Sequence, residues 1–128
     1  GSYDVDQSQL KNDLLFNFSI NKIVENLTIL DPKKILNLVQ KTIKNLEKIK
    51  NVSLSNNKLF VLYIHCCSMI ERILRKEVLD EQEDLQIYIT KEKYNLNILS
   101  NVFKEIEDEY NIKIPINEFR VINDILEG

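Results

Sequence analysis

The stretch Leu59-Phe60-Val61-Leu62-Tyr63-Ile64-His65-Cys66-Cys67-Ser68-Met69-Ile70-Glu71-Arg72-Ile73-Leu74 is apolar nearly all round in its middle. That is the pattern of a helix surrounded by other helices. His65, Ser68, Glu71 and Arg72 interrupt it, so it reads as a buried core helix instead of a membrane span. Only two Gly and two Pro occur in the chain, too few turn and bulge residues for an all-β fold. Ser55 or Asn56 can cap this central helix, and the Val52 to Asn56 stretch before it breaks the preceding pattern.

Working back from there, Asp31-Pro32 is a helix start, with an Asp oxygen for orphan N–H groups and a first residue that has no N–H to leave unpaired. The helix it opens runs to about Lys50 and carries Ile35, Leu38, Val39, Thr42, Leu46 and Ile49 on one side. Lys33, Lys34, Lys41, Lys44 and Lys48 lie on the others, as a solvated face or a docking surface for an acidic partner. Ser19 is an N-cap candidate for a short helix striped by Ile20, Ile23, Val24 and Leu27. Residues 1–18 read as a lead-in, with Gly1-Ser2 a cloning scar and Leu10, Leu14, Leu15 and Phe18 able to line a helix face; residues 19–128 read as the domain.

Working forward, residues 77–84 are acidic and read as a loop, and residues 85–89 as an extended piece or the end of a connector. Thr90 can cap a helix in which Leu99, Val102, Phe103, Ile106 and Tyr110 recur at helical spacing, and Pro115 ends it. Ile116 or Asn117 begins a last helix with Phe119, Val121, Ile122, Ile125 and Leu126. The expectation is an all-α, compact bundle of five or six helices, without an internal repeat.

At 128 residues, 44% hydrophobic and 29% charged, the chain suits one domain with a real core. A net charge of −3 lacks the basic footprint of a nucleic-acid binder. No export signal or membrane span is read in these residues, and a cytoplasmic location is the expectation. Cys66 and Cys67 are neighbours about 100° apart on a helix, so they neither pair nor converge on a metal, and read as reduced buried thiols.

The sole histidine, His65, sits mid-way along the most hydrophobic helix. A step of seven nearly returns to the same direction, so Lys58, His65 and Arg72 form one stripe. A neutral imidazole nitrogen is a nucleophile toward a phosphoryl group, and neighbouring cations stabilise the dianionic adduct. The plainer alternative is a hydrogen-bonded core histidine. A metal site lacks a second His or a spaced Cys pair. A Cys–His nucleophile pair lacks a thiol facing the ring. With no glycine loop to cradle phosphates either, no catalytic residues, metal or cofactor are expected, and the chain reads as a non-enzyme.

Residues 62–74 resemble the phosphoacceptor helix of the PRD family, the phosphotransferase-system regulation domain, in which a His is followed seven residues later by the Arg of a Glu-Arg pair. The run Ile112-Lys113-Ile114-Pro115-Ile116-Asn117-Glu118-Phe119-Arg120-Val121-Ile122 resembles the family's closing pattern of an Ile-Pro step, an acidic residue and a final helix. Where many members carry a second histidine, this chain has Asn123-Asp124-Ile125-Leu126. In this it is most similar to the PRDs of sigma-54-dependent, levanase-operon-type activators. The resemblance implies an all-helical sensor phosphorylated on His65 by phospho-HPr or a phosphorylated enzyme IIB, with Arg72 and Lys58 steadying the phosphate. It further implies dimer or interdomain packing as the readout, coupling carbohydrate supply to transcription. The competing expectation is a helical dimerisation or scaffold domain whose histidine is never modified.

Overall fold

A computed structural model describes residues 2–27, 30–77 and 83–128, with side chains described from Asp13 onward except that of Leu27. Seven helices and no strands are found among the described residues: α1 (Ser2–Leu27), α2 (Pro32–Lys50), α3 (Asn56–Leu74), α4 (Leu85–Lys91), α5 (Lys93–Val102), α6 (Lys104–Tyr110) and α7 (Ile116–Glu127). Helix α3 is central, packing against α1, α2 and α7, while α2 reaches on to α5 and α6. Leu62, Cys66, Cys67, Met69 and Ile70 of α3 are buried with Ile35, Val39 and Ile43 of α2, Leu99 of α5 and Ile122 of α7. No described helix is long and apolar enough to cross a membrane.

The expected starts of α2 and α3 are found. The Asp31 carboxylate accepts from the Lys33 and Lys34 amides with Pro32 in the first turn, and the Ser55 hydroxyl accepts from the Lys58 amide. Ser19 is not a cap. No Gly or Pro stands between Ser2 and Leu27, so α1 runs through Phe18 and Ser19 without a break. Phe16 packs on the Phe60 and Tyr63 rings of α3, and Ile20 and Val24 are buried. Leu14, Leu15 and Phe18 face outward instead. The side chains of Leu10 and Leu27, Gly1, and most of the acidic loop expected over 77–84 lie outside the described residues.

The segment expected as one helix from Thr90 to Tyr110 is three. Thr90 lies inside α4, where its hydroxyl donates to the Gln86 carbonyl, and the chain turns at Glu92 and again at Phe103. Helix α6 ends at Asn111, not Pro115; Pro115 stands instead at the N-cap of α7.

Two connections repeat one device. Asn51 and Asn111 each end a helix in the left-handed conformation, at φ 54° and φ 50°, where Asn is tolerated far better than bulkier residues. In each, the carboxylate of the Glu four residues earlier accepts from a backbone N–H seven residues on: Glu47 from Leu54 at 2.8 Å, and Glu107 from Ile114 at 2.8 Å. The first connection delivers α3 and the second delivers α7.

Candidate phosphoacceptor site between α3 and α7

The Lys58, His65 and Arg72 stripe of α3 faces α7, and the two helices run antiparallel. Lys58, near the start of α3, donates to the Leu126 carbonyl at the end of α7 at 2.9 Å, and Arg72, near the end of α3, meets Glu118 in the first turn of α7. Glu118 occupies the third helical position, where a glutamate ordinarily reaches back to the N-cap amide. That residue is Pro115, which has no N–H. The carboxylate is therefore released to point into the seam, where the side chain is fully buried.

The Arg72 guanidinium donates through Nη2 to both Glu118 oxygens, at 2.8 and 2.9 Å. His65 Nε2 lies 3.4 Å from Oε2 of the same carboxylate. That approach is within ion-pair range, but its alignment falls short of a formed hydrogen bond, and Nε2 is enclosed without another partner. Arg72 Nε is likewise enclosed and unbonded. Burial alone would push the pKa of Glu118 up; the His65 and Arg72 N–H groups turned toward it and the guanidinium charge outweigh burial and hold the carboxyl below its usual range. An ionised buried carboxylate needs such partners.

The His65 side chain is 15% exposed and that of Arg72 31%, so the site opens on one side to the surface. His65 and Arg72 are brought together, but through Glu118, which the reading of the sequence did not single out as a site residue. Lys58 is not brought to the imidazole. Its ammonium is taken up by the last turn of α7, two helical turns from His65 along α3, where it satisfies an orphan carbonyl. Asn123, in the stretch that replaces a second histidine, is buried with its amide donating to the Tyr88 hydroxyl at 3.0 Å. Beside it the Arg120 guanidinium lies over the Tyr88 ring and bonds both oxygens of Asp84. No group of residues able to hold a metal is found among the described residues. The chemistry offered is an imidazole at the rim of a buried carboxylate, with a guanidinium able to serve either that carboxylate or an incoming anion.

The family model of the PRD domain matches residues 40–128, which include His65, Arg72 and Glu118. The transcriptional regulatory protein DagR of Salmonella typhimurium (strain 14028s / SGSC 2262) is 26% identical over 110 residues, 84% of this chain and 12% of that protein. The chain thus spans a small part of its relative's length. No solved structure matches it.

Proposed function

The chain belongs to the PRD family, and on that premise we propose that it is the phosphorylation-sensing regulatory domain of a cytoplasmic transcriptional regulator of the sigma-54-dependent type. His65 accepts a phosphoryl group from phospho-HPr or a phosphorylated enzyme IIB, and the domain is substrate, not catalyst. The similarity to a transcriptional regulatory protein supports the setting. The observation that carries the site is the partly exposed His65 ring against the Glu118 carboxylate that also holds Arg72.

A phosphoryl group brings about −1.5 to −2 charge and three acceptor oxygens. Set beside Glu118, it competes for the Arg72 guanidinium, because two anions cannot both be neutralised by one cation. The packing of α7 against α3 is then the element that phosphorylation biases, and dimer or interdomain contacts through these helices read the change. Incubation with phosphoenolpyruvate, enzyme I, HPr and candidate IIB proteins tests the proposal. Acid-labile phosphate is expected on the wild type and absent from His65→Ala. A chain that takes no label from any donor is instead a scaffold with a structural histidine.

A further inference from the structure

We propose that Glu118 is a positioning residue that fixes the tautomer of His65, holding the proton on Nε2 and leaving Nδ1 as the atom that takes the phosphoryl group. The inference rests on the phosphoacceptor reading above and names the atom and the residue behind it.

The geometry supplies the argument. Nε2 is enclosed and faces Glu118 Oε2 at 3.4 Å. An ionised carboxylate can only accept, so the ring nitrogen turned toward it carries the hydrogen. Which nitrogen of a neutral imidazole is protonated is set by its partner, and the remaining lone pair then sits on Nδ1, across Cε1 from the buried edge. Nε2 has no room for a phosphoryl group without displacing the carboxylate, and a dianion there would meet Glu118 charge to charge. Arg72, bonded to both oxygens of Glu118, holds the carboxylate ionised and fixes its orientation. The logic parallels the buried aspartate that orients the histidine of a serine-protease triad.

The transfer balances without another reactant. The Nδ1 lone pair attacks the phosphorus of a phosphohistidine or phosphocysteine donor protein, the N–P bond forms, and the donor's P–N or P–S bond breaks with its electron pair returning to the donor. The proton on Nε2 stays in place. The ring thereby becomes cationic, and the Glu118 carboxylate beside it offsets that charge.

Because His65 is the sole histidine, long-range proton–nitrogen correlation spectra of the 15N-labelled protein read this one ring directly, at a pH where it is neutral. The wild type is expected to show a protonated Nε2 and a bare Nδ1. Glu118→Gln, whose amide can also donate, is expected to lose that pattern. After phosphorylation by the donor proteins, phosphorus–nitrogen coupling should place the phosphate on Nδ1, with Glu118→Gln labelled roughly tenfold or more slowly. A wild-type ring protonated on Nδ1, a Glu118→Gln spectrum like the wild type, or phosphate on Nε2 overturns the assignment. If Glu118→Gln does not fold, the wild-type tautomer and phosphate position decide alone. A ring in the expected tautomer that no donor labels removes the phosphoacceptor reading, and the positioning role with it, while leaving the Glu118 contact intact.

Discussion

The two connections that deliver α3 and α7 share a framework and differ at their exits. Each leaves a helix through a left-handed Asn and is buckled by a glutamate that takes a backbone N–H seven residues on. The first then ends in Ser55, whose hydroxyl caps α3; the second ends in Pro115, with no side-chain cap. The third helical residue follows suit. On α3 it is Lys58, which crosses to the far end of α7; on α7 it is Glu118, which crosses back to Arg72 and His65 of α3. The same turn thus anchors one helix by its own backbone and ties the other into a charged seam. The α7 start is tied to α3 through this carboxylate, which makes it the end a new charge on α3 can move.

The comparison sharpens most at Glu118. Glu118→Ala should destabilise the fold by about 3 kcal/mol, the low end of the range for breaking a buried pair, since Arg72 is partly solvated. The double variant Arg72→Met with Glu118→Met should recover most of that loss, because no uncompensated charge remains. Chemical denaturation checks both, and additive costs would mean the pair is not coupled.

A smaller effect tests the shared framework. Glu47→Ala and Glu107→Ala each remove a carboxylate from a partly buried backbone N–H, with an expected loss of about 1.5 kcal/mol apiece. Unequal midpoints in urea would break the equivalence of the two turns.

The smallest effect is in pH. Because the Glu118 carboxyl is held below the ordinary value of 4.5, it contributes stability that is whole above that value and drains away as the pH falls through the lower, folded-state value. Urea titrations below pH 4.5 should show this loss in the wild type. The loss should be reduced in Glu118→Gln, and equal slopes would remove Glu118 from the acid response.

What the sequence disclosed follows how local each signal is. Asp31-Pro32 and Ser55 announce their helices by chemistry that acts within a turn, and both are found. The His65 and Arg72 stripe is legible from helical period alone. Ser19 and Thr90 mislead because a hydroxyl that could cap can also sit inside a helix, as the Thr90 bond to the Gln86 carbonyl illustrates. The breaks at Glu92 and Phe103 carry neither Gly nor Pro, so nothing local marks them. Glu118 belongs to the closing pattern around Pro115, yet its tie to His65 depends on α7 returning antiparallel, a long-range fact. The available clue was a proline three residues before it, which denies the glutamate its usual capping partner. Lys58 shares the stripe, but the same return of α7 gives its ammonium a nearer carbonyl.

Cys66 and Cys67 of α3 both lie buried in the core. Burial pushes both thiols up, that of Cys67 to about 12, and a thiol rather than a thiolate reacts slowly with alkylating reagents. In the closed bundle both thiols are also shut away from solvent. Its rate of capture by iodoacetamide is accordingly a clock, ticking only while α3 is uncovered, and it needs no label added to the protein.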